Sequence, residues 1–117
     1  MTPIELKART KTIALRIIKQ TKAIPKNDDA ARVNAKQIVR SGTSVAANYR
    51  ASCRARSPAE FIAKIGIVEE ESDETALWLE LLIESGIMPA SKLTALLDEA
   101  NALTAIMAAS RKTASGK

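Results

Sequence analysis

Phe61, Ile65, Val68, Ser72, Thr75, Leu79 and Leu82 return at spacings of four, three, four, three, four and three. That alternation is the seam of a long helix packing against antiparallel neighbours. Its start is punctuated: Ser57 is a good N-cap, Pro58 fits the first turn without giving up a needed N–H, and Glu60 completes a capping box. Gly86 stands where such a helix ends. The pattern predicts a helix over residues 58–85, roughly 40 Å long at about 1.5 Å per residue, so partners of similar length are needed to cover it.

The rest of the chain supplies three such partners. Thr2, Pro3 and Glu5 repeat the cap and capping box, predicting a helix over 3–23 that Pro25 stops and whose core stripe is Leu6, Ile13, Ile17 and Ile24. A second helix is predicted over 29–54, with the inner stripe Ala31, Ala35, Ile38, Gly42, Val45, Tyr49 and Ser52 or Cys53. Gly42-Thr43-Ser44 is its weak point, costing roughly 1 kcal/mol of helix propensity and allowing a kink. A fourth helix over 89–110 carries Leu93, Leu96, Leu97, Ala100, Leu103, Ile106 and Met107 on its apolar side, and residues 111–117 are expected to be frayed. Short turns between helices of similar length predict an all-α, antiparallel up-down-up-down four-helix bundle, one domain over residues 1–117.

Two helices are apolar on a second side. Ile4, Leu15 and Ile18 fall opposite the first core stripe, among Lys7, Lys11 and Lys22. On the third helix Ala63, Ile67, Glu70, Glu74, Leu77 or Trp78, and Leu81 run almost opposite Phe61. Helices apolar on two sides are usually buried on two sides, so these rows are expected to form a subunit interface. Glu70 and Glu74 would then need cationic partners from another subunit, because an unpaired buried carboxylate is costly.

Composition sharpens this reading. Aromatic residues make up 3% of the chain, which disfavours a sheet-rich fold. Residues 1–56 hold thirteen Lys and Arg against three Asp and Glu, a net of +10; residues 57–117 hold five against ten, a net of −5. Such asymmetry fits an anionic partner for the basic half, or a copy of the chain offering its acidic half. The cations gather on the second helix: Arg32, Lys36, Arg40, Arg50 and Arg54 share one stripe, with Lys7 and Lys11 on the first helix as further candidates for phosphate contact. The single Cys53 excludes an intrachain disulfide and reads as a small buried hydrophobe. No secretory pattern opens the chain and no apolar run reaches about 18 residues, so a cytoplasmic protein without a membrane partner is expected.

Histidine is absent, which removes Ser-His-Asp and Cys-His catalysis, Cys/His zinc sites and Glu-x-x-His di-iron bundles. Glu70, Glu71 and Glu74 are the one catalytic temptation, since carboxylates four apart project together and can hold Mg²⁺ for work on a nucleotide phosphate. They resemble the first half of the metal motif of all-α nucleotide pyrophosphatases. The second Glu-x-x-Asp element that those enzymes need has no counterpart after Glu74. The expectation is therefore no catalytic residue, no metal and no cofactor, with a Mg-dependent nucleotide hydrolase as the third reading.

Arg40 to Ala51, RSGTSVAANYRA, followed by Ser57 to Leu82, SPAEFIAKIGIVEEESDETALWLELL, resembles the bacterial four-helix-bundle proteins of the 23S rRNA intervening-sequence family. The similarity spans nearly the whole chain. Relatives include the accessory variability determinant proteins of diversity-generating retroelements, which partner a reverse transcriptase. The resemblance implies a homopentameric ring of up-down bundles with a non-enzymatic, nucleic-acid-associated role. Ala46 departs from a position often held by Pro or Gly, and Ala51 from one often acidic, which leaves the stretch around Arg50 and Arg54 more basic. Asn48 reads as a packing amide bonded to a neighbouring helix.

The leading expectation is a non-catalytic homo-oligomeric adaptor binding RNA or DNA phosphates, with a reverse transcriptase as a further partner. With only Tyr49 and Trp78 as plausible stacking aromatics, contacts would be largely independent of base sequence. The second reading is a structural oligomer whose basic stripe forms ion pairs between subunits.

Overall fold

Each of the first three helices begins on the cap its sequence offers. Thr2 Oγ1 accepts the Glu5 N–H at 3.1 Å, Asp28 accepts the Ala30 N–H at 2.9 Å, and Ser57 Oγ accepts the Glu60 N–H at 3.1 Å. The Glu60 carboxylate turns back to the Arg56 N–H at 3.1 Å, one residue before the cap. The computed structural model describes residues 1–116, which form α1 (Pro3–Thr21), α2 (Asp29–Ser52), α3 (Pro58–Glu84) and α4 (Ala90–Ser115), with no strand among the described residues. Gly86, at φ +79°, makes the left-handed turn from α3 into α4 that a side chain would resist. The result is an up-down-up-down bundle measuring 46 × 21 × 20 Å.

The core follows the 3.6-residue pattern. Ile13, Ile17, Ile38, Val45, Ile65, Val68, Leu79, Leu82, Leu93, Leu96, Leu103 and Met107 are almost wholly buried, each such side chain contributing about 1.5–3 kcal/mol of transfer free energy. The helix-3 seam is buried from Ile65 to Leu82, with Ser72 and Thr75 as its polar members, while Phe61 at its start is only partly buried. Thr75 and Ser41 meet hydroxyl to hydroxyl at 3.0 Å across the α2–α3 contact. Small residues there let the two helices approach closely. α2 remains helical straight through Gly42-Thr43-Ser44, and the glycine serves packing instead: a Cβ at Gly42 would stand 2.6 Å from Ile17 Cδ1.

α4 differs from expectation at its end. It continues as helix to Ser115, beyond residue 110, because Arg111 crosses Gly66 of α3 and reaches Glu69, Nε to Oε1 at 2.8 Å. A Cβ at Gly66 would stand 3.9 Å from Arg111 Cδ, an ordinary contact. Lys117 lies outside the described residues. α1 packs chiefly on α2 and meets α4 only lightly; there Arg9 bridges to Glu99 with two bonds of 2.6 and 2.7 Å. No described helix is long and apolar enough to cross a membrane.

Candidate nucleic-acid interface

The antiparallel pairing of α1 and α2 brings four cations to one place. Lys7 and Lys11 of α1, Arg50 of α2, and Arg54 in the turn that follows line an open groove of about 480 Å³; α2 stops at Ser52 rather than at the expected residue 54. Lys7 and Lys11 are four residues apart, about 6 Å along the axis of α1. Thr43, Ala46 and Ala47 complete the lining with small side chains. That lets an anion settle between the walls and leaves no aromatic surface for a base. None of the four cations forms an ion pair among the described residues. Because none is neutralised, the groove concentrates positive charge on the surface.

Other members of the predicted stripe are placed differently. Arg32, Lys36 and Arg40 border a second cleft, of about 890 Å³, with Ile24, Pro25 and Lys26 at the α1–α2 turn. Arg32 pairs with Asp29 and donates to the Lys26 carbonyl at 3.1 Å, so it staples the turn. Arg40 spans to α3, where it contacts Glu71 at 3.2 Å and pairs with Glu74. Trp78 Nε1 donates to the same Glu74 carboxylate at 3.0 Å. Two expectations are thereby corrected. Arg32 and Arg40 are not free for phosphate, and Glu74 takes its cation from its own chain rather than from another subunit. Arg32 finds its partners locally, three and six residues back, whereas the length of Arg40 carries it to carboxylates on α3 that only the packed bundle brings near.

The same pairing bears on the acidic triad. Glu71 and Glu74 already share a guanidinium, which supplies the positive charge that a metal would bring. Glu70 is exposed and has no partner among the described residues. Of the residues expected at an interface, Ile4, Leu15 and Ile18 are 80, 58 and 38% exposed, and Ile67, Leu77 and Leu81 are 37, 47 and 41% exposed. Trp78 is half-buried against the core. Asn48 departs from its expected role: its amide donates to the carbonyl and hydroxyl oxygens of Ser44, at 3.0 and 2.8 Å, within its own helix.

Sequence reasoning missed a cleft at the end of the bundle, about 660 Å³, where Met1, Leu6, Tyr49, Cys53, Phe61 and Ser110 meet. The small residues Ser110 and Ala114 on α4, which leave a furrow beside α1, were the available signal. Cys53 lines this cleft half-buried and packed against the edge of the core. Burial pushes the Tyr49 phenol up to about 12, with the neighbouring Cys53 adding to the rise. Elsewhere, the hydrogen bonds that Arg9 donates to Glu99 hold its guanidinium above its ordinary value, and those that Arg111 donates to Glu69 do the same.

Comparison with known proteins agrees with this architecture. Residues 4–109 match the family model described as "23S rRNA-intervening sequence protein". A solved structure from Bacteroides thetaiotaomicron, described as a protein of unknown function from the S23 ribosomal protein family, is 33% identical. The alignment covers 92% of this chain and 98% of that one, with a TM-score of 0.83. No curated protein matches.

Proposed function

The chain belongs to the 23S rRNA-intervening sequence protein family, and on that premise we propose that it is a non-catalytic, self-associating adaptor that binds the phosphate backbone of nucleic acid. The observation that carries this reading is the groove of Lys7, Lys11, Arg50 and Arg54, four cations with no carboxylate partner among the described residues. The two walls present Lys and Arg donors to successive phosphates of one strand, and the small lining lets the backbone approach. Readout is by charge and is indifferent to base. Lys36 extends the basic surface toward the α1–α2 turn.

Self-association uses the exposed apolar rows of α1 and α3, and a closed ring of five copies is the form proposed. Repeating one weak groove around a ring raises the effective concentration of each next contact, so a long strand is held more firmly than a short one. A protein of this kind suits a place beside an enzyme that works on nucleic acid, such as a reverse transcriptase.

Retention of a labelled RNA as a function of salt tests the binding. The logarithm of the binding constant should fall linearly with the logarithm of salt, by about 0.7 to 0.9 per phosphate contacted, and should change little with sequence. An intact assembly that retains neither RNA nor DNA at about 50 mM salt would overturn the reading, since that ionic strength leaves electrostatic attraction little screened. A second reading, in which the cations serve subunit contacts, draws support from Glu70, which is exposed and has no ion-pair partner among the described residues. It predicts that changing Arg50 and Arg54 to Glu breaks the assembly rather than the binding.

A further inference from the structure

Two rows of residues on different helices carry one spacing with opposite charge. Ile4, Lys7, Lys11, Leu15 and Ile18 follow one another at three, four, four and three residues, and so do Ile67, Glu70, Glu74, Trp78 and Leu81. Each member of the first row is 63 positions before its counterpart in the second. Apart from Trp78, which is half-buried against the core, the members of both rows lie opposite the buried stripe of their own helix, and each row is about 21 Å long at 1.5 Å per residue.

α1 and α3 run in the same direction in an up-down bundle. A ring of copies about an axis along the bundle therefore brings α1 of one copy beside α3 of the next with the two helices parallel. In parallel and in register, Ile4 meets Ile67, Lys7 meets Glu70, Leu15 meets Trp78 and Ile18 meets Leu81. Docked antiparallel over the same span, Leu15 would meet Glu70 and Lys7 would meet Trp78, placing apolar groups on charged ones. Glu74 is held by Arg40 and is not free to choose a partner. Among the described residues neither Glu70 nor Lys7 forms an ion pair.

We propose that copies of this chain dock α1 on α3 in this parallel register, with Lys7 paired to Glu70 of the next copy, so that the neighbouring copy and a nucleic-acid phosphate draw on the same lysine. The shared use of Lys7 rests on the binding reading above, because Lys7 also lines the groove. Linkage then requires each partner to weaken the other by the same factor. Assembly lowers the affinity of a single groove for a short strand, even as the ring strengthens the hold on a long one.

A charge swap followed by light scattering on the full chain tests the register. Lys7→Glu and Glu70→Lys should each weaken assembly about tenfold, and the double variant should restore it to within about threefold of the parent. Failure of the double variant to restore assembly, with helical circular dichroism intact in all three, overturns the register; so does a parent chain that remains at 12.6 kDa at micromolar concentration. The sharing is tested with a four-nucleotide RNA. It should bind the dissociated Ile67→Glu variant about threefold more tightly, per groove, than the assembled parent. Equal affinity overturns the sharing. No binding to either form removes the nucleic-acid reading and the sharing together, while the register stands on the charge swap.

Discussion

Arg40 and Glu71 face each other across the α2–α3 contact at 3.2 Å, and Glu74 takes the same guanidinium. Ten residues further along α2, Arg50 meets no carboxylate among the described residues. One stripe thus contains two kinds of arginine. Changing Arg50 and Arg54 to Gln should reduce RNA retention and lower the salt slope by roughly 1.4 to 1.8, two phosphate contacts' worth. Arg40→Gln should leave the slope unchanged and cost no more than about 1 kcal/mol of stability, because the pair is half exposed. Salt titrations of the two variants beside urea denaturation separate these roles, and an Arg40→Gln protein that loses the slope would contradict the division.

Gly42 should resist replacement by Ala despite the better helix propensity of Ala. Ala gains about 1 kcal/mol of propensity, while forcing a methyl against the buried Ile17 costs about 1–3 kcal/mol, since Ile17 Cδ1 would be 2.6 Å away. A net loss of about 1 kcal/mol is expected in urea denaturation. Adding Ile17→Val removes the clashing Cδ1 and should recover part of the loss. A double variant less stable than Gly42→Ala alone would show that the clash is not the cause.

Tyr49 is the only tyrosine, so its ionisation can be followed directly by phenolate absorbance. The folded phenol is pushed up to about 12 by burial and then by Cys53, against about 10 in an unfolded chain. The folded state therefore holds the proton more tightly, and the sign follows: this contribution to stability is complete below about pH 10 and is lost as pH rises from about 10 to about 12. Titration of the folded protein near 10 would refute the assignment.

Arg9 and Glu99 join α1 to α4 where those helices meet least. Glu99→Gln should lower stability by about 0.5–1 kcal/mol, the range for a partly exposed pair of good geometry. Amide hydrogen exchange should quicken in α1 more than in α2 or α3, because local opening starts where few contacts hold an element. Uniform quickening over all four helices would argue that the bridge has no local role.

Much of this molecule could be read before folding was considered. Ser57, Pro58 and Glu60 marked the start of α3, and the seam from Phe61 to Leu82 marked its inner face, because capping and periodicity depend on residues a few positions apart. The end of α4 could not be read so. Its last turns depend on Arg111 meeting Glu69 over Gly66, a contact between residues 42 positions apart that no local signal announces. The groove was half legible: Lys7, Lys11, Arg50 and Arg54 were all candidates, but so were Arg32 and Arg40, and nothing in the stripe separated them.

What the sequence determined by itself was the all-α bundle, the helix starts and the faces each helix buries, since these follow from local hydrogen bonding and from the 3.6-residue repeat of apolar side chains. What tertiary structure decided was which charges remain available. Pairing across α2 and α3 consumed Arg40, Glu71 and Glu74, and pairing across α1 and α2 assembled four unneutralised cations into one groove. Charge acts through space over several ångströms, so its meaning is set by the distances that packing creates rather than by position along the chain.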